Sequence, residues 1–171
     1  VFNKLGEEGM SIMVYHGGTD IIREPLCTVS RDNLDFGRGF YLTDLKEQGI
    51  RWAKTVAGRR KEAPILNVYA LEREAILREA RCKVFSNYDS EWLQFISANR
   101  LGKGLYREFD YIEGGVADDR VIDTVNLFIA ELINEQEALK RLSLYQPSNQ
   151  MCILKQEIIN KYLKYYGSEQ L

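Results

Sequence analysis

Short apolar runs that meet glycines at their ends, with helical stretches scattered between them, constrain this chain's fold more than any other feature. Ile12-Met13-Val14-Tyr15-His16 stops at Gly17-Gly18, Phe40-Tyr41-Leu42 follows Gly37-Arg38-Gly39, and Tyr111-Ile112 leads into Gly114-Gly115. Glycine at such places permits a turn or a close approach of backbone. Each run reads as a short strand with a break beside it, residues 17–20 forming a turn and Gly114-Gly115 an interruption. Ile65-Leu66-Asn67-Val68-Tyr69-Ala70-Leu71 is the most strand-like segment. Cys82-Lys83-Val84-Phe85 is expected to pair near it, and Met151-Cys152-Ile153-Leu154 supplies a late strand. Strands and helices do not alternate regularly, which favours an α+β fold over a doubly wound parallel sheet.

The helical stretches carry their own signals. Thr43 or Asp44 is a good N-cap for a helix from Leu45 to Ala57, with Ile50, Ala53, Val56 and Ala57 as its buried stripe. Trp92, Leu93, Phe95 and Ile96 share one side of a helix over 90–98. Asp118 or Asp119 caps a helix over 121–133, Asn134 separates it from one over 135–142, and a last helix is expected over 156–166. Residues 23–35, with Pro25, suit a surface loop. A chain of 171 residues fits one domain, taken as residues 11–171 with residues 1–10 as an extension. Hydrophobic residues at 45% and charged residues at 28% argue against disorder and fibrous architectures.

No apolar run reaches the roughly 18 residues of a membrane span, and the first residues lack secretory-signal order, so a cytoplasmic location is expected. Cys27, Cys82 and Cys152 are odd in number and lack ligand spacing, which argues against a disulfide framework, zinc or any other metal site. A net charge of −2 gives no global attraction to nucleic acid, though a local basic surface is compatible with it. Arg51, Lys54 and Lys61 follow one helix side with Gly58 in the same row, and Arg59 and Arg60 stand nearby. Such a row is either a solvated face or a surface that steers an anion, whether the pyrophosphate of a nucleotide or an RNA or DNA strand.

His16 is the only histidine, placed at a strand end beside two glycines. By itself it suits a satisfied core residue as well as a functional one. Gly37-x-Gly39 lacks the third glycine and the lysine of phosphate-binding loops, so the Rossmann and P-loop readings fail; alone it suits a hairpin turn. Together, a strand-end His-Gly, a Gly-x-Gly-aromatic-Tyr strand and a helix bearing another aromatic make a pattern.

Tyr15-His16-Gly17 and Gly37-Arg38-Gly39-Phe40-Tyr41-Leu42-Thr43-Asp44 resemble the first two motifs of the diphtheria-toxin-like, His-Tyr-Glu branch of ADP-ribosyltransferases, which includes the poly(ADP-ribose) polymerases. The stretches NLDFGRGFYLT, EQGIRWA, ILNVYAL, VADDRVIDTVNL and PSNQMCI further resemble a bacterial domain-of-unknown-function family assigned to that superfamily, over most of residues 12–166. The resemblance implies a split, mainly antiparallel sheet with surrounding helices and NAD, as substrate, in the cleft between its halves. It implies that His16 bonds a ribose hydroxyl, that the Gly17 backbone grips the nicotinamide carboxamide, and that Tyr41 stacks on the nicotinamide ring. Gly39 and Thr43 of the second motif join that pocket. Trp52 falls at the place of a second stacking aromatic, or is a helix-packing residue. Arg31 is placed to meet a phosphate or a loop carboxylate.

The third family motif supplies a glutamate at the start of a late strand, and Asn149-Gln150-Met151-Cys152-Ile153 puts Gln150 there. Cleavage of the nicotinamide–ribose bond passes through an oxocarbenium-like state, which nearby negative charge stabilises. A neutral amide holds a hydroxyl but is no base. Glu113, Asp118 and Asp119 are the acidic stand-ins, with competing roles as a strand-end charge and as helix caps. His16, Tyr41 and Gln150 thus form the expected catalytic set of a mono-ADP-ribosyltransferase acting on a protein or nucleic-acid acceptor. Family analogy adds the toxin of a toxin–antitoxin pair, with an antitoxin protein as partner. The alternatives are an inactive module that binds NAD or ADP-ribose, and an interaction protein using the apolar positions of residues 121–142, which core packing explains more simply.

Overall fold

The computed structural model describes residues 10–171 apart from the side chain of Asp119; the expected extension over 1–10 lies outside the described residues except for Met10. In chain order the elements are β1 (Ile12–Gly18), β2 (Phe40–Leu42), α1 (Lys46–Arg60), β3 (Ile65–Leu71), α2 (Arg73–Glu79) and β4 (Cys82–Val84). There follow α3 (Ser90–Arg100), a short 3-10 turn (Leu105–Glu108), β5 (Tyr111–Gly115), α4 (Asp119–Ile129), α5 (Glu135–Leu142), β6 (Asn149–Ile153), α6 (Gln156–Tyr162) and β7 (Leu163–Gln170). The content is α+β, as the irregular order of the sequence elements implied.

The strands form two sheets. One has the order β1-β3-β7 and is antiparallel; the other has the order β2-β6-β5-β4 and is antiparallel except for the β4–β5 pair. Among the described residues they meet at one bridge, where Tyr15 N–H donates to the Thr43 carbonyl at 2.8 Å and Thr43 N–H donates back at 3.0 Å. The sheet is therefore split and mainly antiparallel. One core cluster is shared by both sheets, with Val14, Phe40, Leu42, Tyr69, Tyr111, Met151 and Ile153 buried together. A second lies between the β5–β6 region and the helices α3, α4 and α5, around Phe36, Trp92, Ile112, Val125 and Leu142. Trp92 is wholly buried and its indole N–H donates to the Gly115 carbonyl at 3.1 Å, so its one polar atom is satisfied.

Several expectations change. Residues 163–170 form a strand, not the end of a helix, because β3 offers a free edge; the helix stops at Tyr162 and Tyr165 packs edge-on against Tyr69 at 5.8 Å. β4 pairs with β5 rather than near β3, clamped by Arg81, whose backbone N–H and guanidinium both reach the Asp110 carboxylate. α2 occupies a stretch that carried no helix signal. Gly114 and Gly115 stay inside β5: a Cβ at Gly115 would stand 2.3 Å from the Tyr88 ring, so glycine there serves close packing and not a break. Gly17 and Gly18 likewise stay in β1, paired with Leu66 and Ile65. α1 has Leu45 at its N-cap without a side-chain bond, while the Thr43 hydroxyl accepts from Leu45 N–H; the helix ends on Lys61 in the left-handed conformation, φ 57°. α4 stops at Ile129, and Glu131 turns the chain with φ 58°. Among the described residues no helix is long and apolar enough to cross a membrane.

Candidate functional site

Where the sheets part, β1 continues past its bridge to β2. Tyr15 directs its N–H and C=O at Thr43, and strand alternation turns those of Gly17 to the same side, past the last bridge. Gly17 is buried and lines the cavity beside His16. Its lack of a side chain is required by packing. A Cβ would lie 2.1 Å from the Gly49 carbonyl oxygen and 2.5 Å from Ala53 N, both backbone atoms of α1.

His16, one residue earlier, is half-buried; its Nδ1 lies 2.8 Å from the Tyr41 carbonyl oxygen and its ring stacks on Phe40 at 4.7 Å. A carbonyl can only accept, so Nδ1 carries the proton and the neutral ring presents Nε2 as an acceptor. Burial pushes the imidazole pKa below its ordinary range. Above pH about 6.5 the ring is neutral in both folded and unfolded chains; as pH falls the unfolded chain takes up a proton that the folded one resists, so stability is lost toward the folded-state pKa. In the single histidine this effect is isolated. Between about pH 7.5 and 5.5 the urea midpoint of the wild type should fall further than that of His16→Gln. Equal falls would contradict the assignment.

Tyr41 is held from the opposite side. Its hydroxyl donates to the Gly37 carbonyl at 2.7 Å and accepts from Phe36 N–H at 3.1 Å, and burial raises its pKa well above the ordinary tyrosine value. The turn at Gly37, φ 78°, makes this possible; a Cβ there would run into the Tyr106 ring. The Gly-x-Gly motif is thus a turn, and the turn anchors Tyr41.

Two hollows meet at His16 and Tyr41. One, of about 380 Å³, is also lined by Gly17, Asp35, Trp52, Arg59, Arg100 and Gln150. The other, of about 400 Å³, is lined on its far side by Ile22, Leu26, Val29, Ser30, Gly39 and Phe40. His16, Gly17, Tyr41, Trp52 and Gln150 are therefore brought together, and Gly39 adjoins them. A larger hollow of about 490 Å³ between α3 and the end of α4 contains none of these residues.

Gln150 is 4% exposed, and its side-chain nitrogen is buried without a hydrogen-bond partner. An orphaned buried donor costs about 1–3 kcal/mol, which a ligand acceptor would recover. Asp35 supplies the cavity's carboxylate. It is 9% exposed and accepts from Arg100 Nε at 2.6 Å. In the sequence it is one acid among several in a polar loop, and nothing there distinguishes it; only the fold carries it to the cleft.

The remaining expected residues lie elsewhere. Thr43 is wholly buried and lines neither hollow; its hydroxyl donates to the Asn149 carbonyl and accepts from Leu45 N–H and Gln48 Nε2, knitting β2 to β6. Arg31 is exposed beside Ser30 and outside the lining of both hollows. Glu113 is not free to stand in for an acid at the cleft: it accepts from Arg73 at 2.8 and 3.0 Å, from the Tyr111 hydroxyl at 2.8 Å and from Asn149 Nδ2 at 3.0 Å. Asp118 occupies the N-cap position of α4 and lines a separate hollow with Arg120, Val121 and Tyr145. The Asp119 side chain lies outside the described residues. Cys27, Cys82 and Cys152 are free thiols, and among the described residues no cluster of three or more metal-ligating side chains occurs.

Neither a curated protein nor a solved structure matches the chain. One family profile does, over residues 12–165. That match covers almost the whole described chain, which therefore belongs to the family described as "Protein of unknown function (DUF3990)".

Proposed function

We propose that this chain binds NAD in the cleft between its sheets and transfers ADP-ribose to a macromolecular acceptor, as the ADP-ribosyltransferases that its His-Gly and Gly-x-Gly-Phe-Tyr motifs resemble do. The observation that carries the reading is that His16, Gly17, Tyr41, Trp52 and Gln150, distant in sequence, line one cavity, whose neighbour shares His16 and Tyr41. Two adjoining hollows of ligand size suit the two halves of a dinucleotide. The nicotinamide carboxamide matches the Gly17 backbone, the ring matches Tyr41 and Trp52, and ribose hydroxyls match the His16 Nε2 acceptor and the orphaned Gln150 amide.

In the reaction the bond between ribose C1′ and the nicotinamide ring nitrogen breaks. The electron pair leaves with nicotinamide and cancels its positive charge, a lone pair of the acceptor forms the new bond at C1′, and the acceptor's proton departs. Gln150 orients the hydroxyl but adds no charge, so Asp35 is the carboxylate for the positive C1′ centre and the departing proton. The action takes place in the cytoplasm, in the manner of a toxin held by an antitoxin protein. Release of nicotinamide from NAD in the presence of a cell lysate is the direct assay: Tyr41→Ala should abolish it, and wild type without turnover sinks the enzyme reading. A second reading, a module that binds NAD or ADP-ribose without chemistry, is favoured by the neutral Gln150. Asp35→Asn separates the two. In an enzyme it lowers nicotinamide release by about a hundredfold with NAD affinity retained; in a module there is no release to lose.

Gln150→Met gives a result of opposite signs. Removing the unsatisfied buried amide should raise the unfolding free energy by about 1 kcal/mol while weakening NAD binding about tenfold. Urea unfolding and calorimetry read the two effects; loss of stability together with unchanged NAD affinity would make Gln150 a packing residue only.

A further inference from the structure

α1 carries Lys46, Arg51, Lys54, Arg59 and Arg60 against one carboxylate, Glu47, in a chain whose net charge is −2. Lys46 pairs with Glu169 and Arg60 with Asp20. Arg51, Lys54, Arg59 and the following Lys61 form no ion pair among the described residues, and all four are exposed. Their positions are not scattered. Arg51, Thr55 and Arg59 recur at helical spacing, and Thr55 and Arg59 line the hollow that holds Gln150, so this edge of α1 leads from open solvent into the cleft. Gly58 lies in the row between Lys54 and Lys61, and a Cβ there would meet nothing within 4 Å. A helix-interior glycine is unfavourable relative to alanine, and here packing does not require it. It leaves a bare stretch of helix between cations, where a phosphodiester chain can lie close.

We infer that the exposed cationic row of α1 is a docking surface for single-stranded nucleic acid and delivers the acceptor strand to the cleft. The delivery half of this statement, and with it the choice of a single strand, rests on the transferase reading; the binding of a phosphate chain by the exposed cations does not. A phosphate chain complements four cations that form no ion pair among the described residues, Arg51, Lys54 and Arg59 on α1 and Lys61 at its C-cap. A single strand is required because a hollow of about 380 Å³ admits a lone base or sugar and not a duplex, whose bases are stacked and paired.

The test is fluorescence anisotropy with the full chain and labelled oligo-dT and oligo-U strands of roughly 20 nucleotides, the matching duplex, and a polyglutamate peptide of similar charge. Four phosphate contacts predict single-strand affinity falling about fiftyfold between roughly 50 and 200 mM salt. Arg51→Glu with Lys54→Glu should weaken single-strand binding at least about tenfold and flatten the salt slope, while NAD affinity by calorimetry stays unchanged. Gly58→Leu keeps every charge, starts from an exposed position where a Cβ has nothing within 4 Å, and should also weaken binding by covering the bare stretch. Strand binding by a chain that fails to bind NAD would uphold the docking surface and overturn the cofactor reading. Absent strand binding, equal affinity for polyglutamate, preference for the duplex, or a charge reversal that weakens NAD rather than the strand would overturn the inference.

Discussion

Gly17→Ala is expected to destabilise the fold by about 3 kcal/mol and to abolish NAD binding with it. The added carbon would stand 2.1 Å from the Gly49 carbonyl oxygen and 2.5 Å from Ala53 N. Both belong to the backbone of α1, so no rotamer change relieves the clash; the helix must lift off β1. Trp52, Thr55, Val56 and Arg59 of α1 form one wall of the cleft, and they move with it. Gly49→Ala is the matched comparison. Its Cβ would approach Leu66 Cδ1 and Tyr15 Cβ at 2.9 Å; the leucine tip can turn away, the tyrosine Cβ is fixed by its backbone, and both approaches are longer than those at Gly17, so its cost should be smaller, about 1–2 kcal/mol. Urea unfolding ranks the two. Equal or reversed costs would mean that α1 does not seat on β1 through Gly17.

Glu113→Ala should cost about 3–5 kcal/mol, the scale for removing one partner of a buried ion pair. The Glu113 side chain is 7% exposed and gathers the Arg73 guanidinium, the Tyr111 hydroxyl and the Asn149 amide. Alanine strips a partner from all three and leaves Arg73, 25% exposed, with only its pair to Glu74. Glu113→Gln retains an acceptor and should cost less. Because Asn149 opens β6 and its carbonyl accepts from Thr43 Oγ1 and Gln48 Nε2, loss of Glu113 also loosens the strand end that carries Gln150. NAD affinity should therefore fall even where the variant remains folded. A variant as stable as wild type, with the existing Arg73–Glu74 pair sufficing, would show that the network is not a structural anchor.

How much of this was legible in the sequence depended on whether a residue's neighbours were local. Helix α3 announced itself through the apolar positions Trp92, Leu93, Phe95 and Ile96; its cap Asp89 was not singled out, and Asn134, read only as a separator, caps α5, the two side chains accepting from Trp92 N–H and Glu137 N–H. The α+β class followed from glycines beside short strands. The Leu163–Gln170 strand was not legible, because its apolar spacing suits a helix as well and the free edge of β3, almost a hundred residues earlier in the chain, decides between them. The same distance effect governs the site. His16, Tyr41 and Gln150 were recognisable as motif members; Thr43 shared a motif yet turned inward to join β2 to β6, and Asp35, with no local signature, was brought to the cavity by the loop that also anchors Tyr41. Charge identity alone did not separate Glu113 from Asp35. Their place in the fold did: both pair with an arginine, but Asp35 lines the cavity and Glu113 does not.

A structure of the chain with NAD tests the central claim most directly. The account predicts the carboxamide on the Gly17 backbone, the nicotinamide ring between Tyr41 and Trp52, one ribose hydroxyl bonded to His16 Nε2 and another to the Gln150 amide. NAD bound away from His16 and Tyr41, or a cleft that remains without NAD at millimolar concentration, would contradict it.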